Sequence, residues 1–291
     1  MQPDIDHVVP ADVLAIDLSG LDHLDATAVR SRTLLSRAWS AVWPKVAAVT
    51  LGLLAWQLVV WLEWKPEYVL PSPRTALEEL WMQLGTSELW RAVGFTMRRA
   101  VIGFVVSLVI GVGLGIAVSR SRILRTAIGS LITGLQTMPS IAWFPLAILL
   151  FKISEQAILF VVVLGAAPSI ANGVIAGVDG VSPLMRRLGA VMGAGPVALY
   201  RDFVVPAAMP TVLTGLKQGW AFSWRSLMAG ELLVIIPGTQ SVGTRLHFAR
   251  EFSDAPGLIA TMIVILVIGI VIDALVFGRL EQRTLSRRGL R

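Results

Sequence analysis

The chain has 291 residues, 55% of them hydrophobic and only 15% charged, with a mean hydropathy of +0.72; soluble domains are about a quarter charged, so the composition is that of an integral membrane protein. Its 25 Lys and Arg outnumber 19 Asp and Glu, but they sit in small groups at the ends of apolar runs, as topology signals do, and not in the continuous patch that nucleic acid requires. Cysteine is absent and the three histidines (His7, His23, His247) are scattered, which excludes disulfides, thiolate chemistry and a histidine metal cluster.

The acidic start has no Lys or Arg before Arg30, unlike a secretory signal. Residues 1–45 read as a cytoplasmic tail, partly disordered. A helical crossing needs roughly 20 apolar residues. Runs 46–62, 100–119, 127–151, 156–178 and 256–278 meet that need or nearly do. A sixth, 211–237, is long enough but holds Lys217, Arg225 and Glu231; a bundle can shelter polar groups that lipid rejects. The expected fold is therefore all-α and integral to the membrane, with six transmembrane helices over 46–278. Residues 279–291 form a basic tail. With the N-terminus inside, fifteen Lys and Arg fall on the cytoplasmic side and eight outside, Arg98 and Arg99 among the eight. Both termini are thus placed in the cytoplasm. Glycines such as those of "GVGLG" (111–115) suit close helix packing at membrane depth.

The predicted cytoplasmic loop 179–208 contains "GAGPVALYRDFVVPAAMP" (193–210). Pro196 suits a first helical turn, and the helix is expected to stop at Pro206. Val197, Tyr200, Phe203 and Val204 fall on one side, beside Arg201 and Asp202. That apolar side has three destinations: lipid headgroups, its own bundle, or a partner's groove.

This stretch resembles the cytoplasmic loop signature of ABC-importer permeases, E-A-A-x-x-x-G followed by x-L-P. Gly193 matches the motif glycine and "VVPAAMP" (204–210) its close. The chain from about residue 46 onward is similar to the nitrate, sulfonate and taurine branch of those permeases. "LPSPRTALEEL" (70–80), "SRSRILR" (119–125), "MPSIAWFPLAILLF" (138–151) and the Trp224-to-Glu231 spacing carry that likeness. One departure is that Glu-Ala-Ala falls on Arg187, Leu188 and Gly189. The resemblance implies a type I ABC-importer permease fold, in which Gly193, Val197, Tyr200, Arg201, Phe203, Val204 and Pro206 form a coupling helix. Its seat would be a cytoplasmic ATP-binding subunit, working as a dimer and holding ATP and Mg. The other implied partners are a second copy of the chain and an extracytoplasmic substrate-binding protein, at the inner (plasma) membrane. This chain would bind no cofactor and catalyse nothing, and its solute would be an alkanesulfonate, taurine or nitrate.

Arg225 is not explained by that likeness. A cation within a span faces a polar cavity or finds a partner, so it is either a contact for an anionic solute or half of a structural ion pair. Glu231 lies six residues on, about 240° around the same helix, and cannot pair with it within one chain. Trp143, Asn172, Trp220, Ser223, Trp224 and Glu231 are further pathway candidates, with interhelical bonding the alternative for Asn172. A secondary transporter would show paired ionisable groups at mid-membrane and repeated halves. An intramembrane enzyme would show a nucleophile with a base, or a metal.

Overall fold

A computed structural model describes residues 34–286. The acidic start and the last five residues, parts of the two predicted tails, lie outside the described residues. The chain divides into residues 1–59 and 60–291. The first unit is represented by α1 (Leu34–Trp61), which continues through Pro44 and is long and apolar enough to cross a bilayer.

The second unit contains the remaining helices, and no strand occurs among the described residues. Two non-apolar helices, α2 (Pro73–Leu84) and α10 (Val242–Glu251), lie between longer ones. The long ones are α3 (Ser87–Arg120), α6 (Glu155–Asp179), α9 (Val205–Leu233) and α11 (Ala255–Ile272). A wide π turn carries α11 into α12 (Gly278–Ser286). Side chains of Ser72, Thr86, Ser121, Ser154, Ser182, Ser241 and Asp254 accept backbone N–H groups at helix starts. Such caps mark helices that hydropathy does not announce, α2 and α10 among them.

Three expected spans change shape. Residues 127–151 do not make one straight crossing. α4 (Arg122–Thr137) and the segment Ser140–Phe151, which includes α5 (Phe144–Phe151), meet at 104°. The cause is Pro139, which holds Met138 extended at ψ 130° and so ends the helix before it. The second span starts at Ser87, thirteen residues before the apolar run. The last difference is in α9, which starts at Val205 and ends at Leu233, not at 211 and 237. Among the described residues four helices are long and apolar enough to cross, or five if the bent pair is one span. At 29 residues α9 is long enough, but its polar content sets it apart.

At the centre of this unit α6 packs between α3 and α9. Contact is close because glycine faces it from both sides. A Cβ on Gly111 would stand 2.7 Å from the Ala167 carbonyl, and one on Gly115 2.6 Å from Val174 Cβ, whereas Gly113 faces nothing. Across the other side, a Cβ on Gly173 would lie 2.5 Å from Gly215 Cα, so the α6 and α9 backbones touch. In lipid, where apolar side chains gain nothing by pairing, such backbone proximity holds helices together. Phe144, Ile158, Val161, Trp220 and Leu227 fill the space beyond.

Candidate functional site: a wedged knob, a polar helix face and a buried ion cluster

The knob lies between α6 and α9. After Asp179 the chain forms α7 (Pro183–Val191), a helix that lay unseen in the predicted loop. It ends in a Schellman turn: Gly193 N–H donates to the Ala190 carbonyl and Ala194 N–H to that of Gly189, with Gly193 at φ +77°. The motif glycine thus supplies a left-handed residue that others adopt at a cost. A single helical turn, α8 (Pro196–Ala198), follows, then a π turn over Leu199–Val204. Pro206 does not stop the helix as expected. Val205 N–H reaches back to the Tyr200 carbonyl, the wide turn accommodates the proline, and the coil runs on into α9 past Pro210.

The predicted apolar side divides. Val204 is buried with Val181 and Ala208, and Tyr200 packs against them. Arg120 lies over the Tyr200 ring at 4.9 Å. Leu199 and Phe203 cover Gly189, where a Cβ would stand 2.5 Å from Leu199 Cδ1; that is why glycine sits at the last position of the altered Glu-Ala-Ala. Val197, Arg201 and Pro206 face outward. Arg201 pairs with Asp202 at 2.8 Å, and this hydrogen bond holds the Asp202 carboxyl below its ordinary value. Outward too are Leu184, Val191 and Met192, which with Val197 are 69–86% exposed. An apolar ridge bare in one chain marks an interaction surface. Its α7 part was missed because the residues look like one side of an ordinary loop helix.

The pathway candidates also separate. Trp220, Ser223 and Glu231 are enclosed by the chain's own helices, while Trp143, Asn172 and Trp224 are half-buried. Asn172 Nδ2 donates to Gln136 Oε1 at 2.6 Å, joining α6 to α4. Trp220 and Trp224 stack 6.3 Å apart. Arg225 alone of the seven is exposed; its Nε donates to the Ala221 carbonyl at 3.2 Å, and its guanidinium lies 4.6 Å from the Phe222 ring. No ion pair among the described residues includes it. Eight residues separate it from the end of α9 at Leu233, which is about 12 Å along the axis. Lys217, on the same helix, pairs with Asp273 at 3.1 Å.

Glu231 belongs to a cluster the sequence hid. One oxygen takes Arg99 Nη1 at 3.1 Å, and the other accepts from Thr96 Oγ1 at 2.8 Å and from Gly243 N–H at 3.1 Å. Arg99 Nη2 also reaches Glu155 at 3.3 Å. Arg99, counted in the sequence as an outer-side charge, is therefore buried and carries no orientation signal. The cluster ties α3, α6, α9 and α10 together.

The described residues thus form a helical bundle with an exposed apolar ridge between α6 and α9 and long apolar helices suited to a membrane. Residues 85–285 match the family described as "Binding-protein-dependent transport system inner membrane component", and the chain belongs to it. It is 28% identical to the taurine transport system permease protein of Escherichia coli strain K12, over 84% of this chain and 90% of that one. The nitrate import permease protein of Synechocystis is 26% identical over 79% and 86%. A solved amino acid ABC transporter, crystallised with histidines, shares the fold at a TM-score of 0.55 and 16% identity, over 70% of this chain and 97% of that one. The chain is thus a membrane-embedded permease subunit of an ABC importer.

Proposed function

We propose that this chain, with a second copy of itself, forms the translocation pathway of an ATP-driven importer for a small oxyanion. The observation that carries the reading is Arg225, an exposed guanidinium with no acid beside it, within a helix long enough to cross a bilayer. A planar donor fork suits sulfonate, carboxylate and nitrate alike. A relative named for nitrate import points to the same class of solute, and one named for taurine transport shares with that class only the sulfonate group. On this reading α9 is the sixth crossing, in the inner (plasma) membrane, with the knob and both termini in the cytoplasm.

The knob is the seat for a separate ATP-binding subunit, a dimer that holds ATP and Mg, and an extracytoplasmic binding protein delivers solute to the opposite end. The gripping surface is Val191, Met192, Val197 and Arg201, since Tyr200, Phe203 and Val204 are largely covered by the chain itself. Closure of the ATPase pair rocks two rigid permease copies between discrete states.

The test is reconstitution with the ATPase and binding protein in proteoliposomes. ATP-dependent uptake of labelled ethanesulfonate or nitrate is expected. Val191→Asp with Val197→Asp is expected to abolish ATPase association without loss of a monodisperse permease. Uptake by the chain alone, driven by a proton gradient, would refute the reading in favour of a secondary transporter.

A further inference from the structure

Between residues 207 and 232, α9 exposes Thr211, Thr214, Lys217, Gln218, Ala221 and Arg225. No large apolar side chain is among them. By contrast, α11 exposes Met262, Leu266, Val267 and Ile270. Lipid can cover the α11 face; it cannot satisfy hydroxyls, an amide and a guanidinium. At 100° per residue, all but Lys217 fall within a sector of about 80°, in a row about 21 Å long. Lys217 stands just outside it, turned to Asp273. A second helix repeats the theme: α4 exposes Thr126, Ser130, Thr133 and Thr137, within a sector of about 60°.

Neither row contains an acid; Asp273 is committed to Lys217 and Glu231 to Arg99. The exposed Glu281 of α12 lines a cavity with Thr214 and Lys217, and Thr214 stands eleven residues, or about 16 Å, along α9 from Arg225. Two α9 faces zipped directly together would bring like charges into contact with no carboxylate between them, an arrangement that costs energy. A watered gap removes that cost, and an anion within it turns the two guanidinia into an attraction.

We propose that the Gln218–Arg225 face of α9, one from each copy, is an anion-selective wall of the aqueous passage, and that it rejects solutes bearing an ammonium group. This rests on the reading that the chain forms the pathway, and it narrows the solute. Net-negative oxyanions such as alkanesulfonates and nitrate pass. A zwitterion such as taurine does not, because along Gln218–Arg225 its ammonium meets an amide and a guanidinium but no carboxylate.

The cysteine-free chain allows a direct test in the assembled complex. Gln218→Cys and Ala221→Cys are each exposed to 2-sulfonatoethyl methanethiosulfonate and to its 2-(trimethylammonio)ethyl counterpart. Each rate is divided by that reagent's rate with free 2-mercaptoethanol. The anionic reagent is expected to be favoured about tenfold or more, the lower end of what a charged cleft does to local concentration. That preference should fall to parity with Arg225→Gln and persist with Arg225→Lys, while Leu266→Cys on α11 reacts with neither. The proposal is overturned if both thiols on α9 are inert, if they react without regard to charge, or if the preference survives Arg225→Gln. Ethanesulfonate uptake without charge preference at the thiols would sink this inference alone; charge preference without oxyanion uptake would remove the import reading and leave the wall.

Discussion

Replacing Glu231 by Gln removes a charge where neither partner meets water, since its side chain is fully enclosed and that of Arg99 is 4% exposed. Arg99 keeps Glu155 at 3.3 Å, but that carboxylate is 36% exposed and is shared with Arg98 at 3.8 Å. The new amide can still accept from Thr96 or Gly243, yet its NH2 adds donors to a site already crowded with them. The cost is therefore that of a broken buried pair, about 3–5 kcal/mol, and not the ~1 kcal/mol or less of an exposed one. For a unit of this size that is a fall in Tm of about 10 °C. Thermal unfolding of the detergent-solubilised protein, followed by tryptophan fluorescence, measures it. Arg99→Gln should cost a similar amount, and the double variant less than the sum by at least about 1 kcal/mol. A Tm for Glu231→Gln within a degree or two of the parent, or strict additivity, would refute the reasoning.

Helix contacts are probed by glycine pairs. Gly173→Val is expected to abolish the folded species on size-exclusion chromatography, because its Cβ alone would stand 2.5 Å from Gly215 Cα; Gly113→Ala, with open space around it, should elute and melt like the parent. At the knob, Gly193→Ala has room but the wrong backbone, at φ +77°. A loss of about 1–2 kcal/mol is expected, with Gly193→Asn milder, both read by thermal melts. Asn172→Leu strips the 2.6 Å bond to Gln136 and leaves that amide with one partner fewer. A loss of about 1–3 kcal/mol is expected, with solute selectivity unchanged in the reconstituted uptake assay.

Apolar runs marked the candidate crossings well where the exposed face is apolar, as in α11. They failed where the protein is its own solvent. The first thirteen residues of α3 were hidden because Arg98 and Arg99 look like residues leaving the membrane, and nothing near them in sequence shows that Arg99 meets Glu231, 132 residues on. The break at Met138–Pro139 was written in the proline, but its angle depends on packing. The knob was located by its glycine and prolines. Its faces were misjudged because a π turn shifts the helical phase that the spacing of Val197 and Tyr200 assumes. Arg225 stood out in the sequence as a cation within a long helix, whereas the polar row around it becomes visible only once exposure is known.

The wide turn at Leu199–Val204 makes residues 196–233 one unbroken coil with a single surplus residue in it. Were that surplus to migrate along the axis, each residue it passed would swing by about 100°. On the proposed docking, a grip on Val197 would act on distant side chains as a screw does, by torsion as well as by thrust.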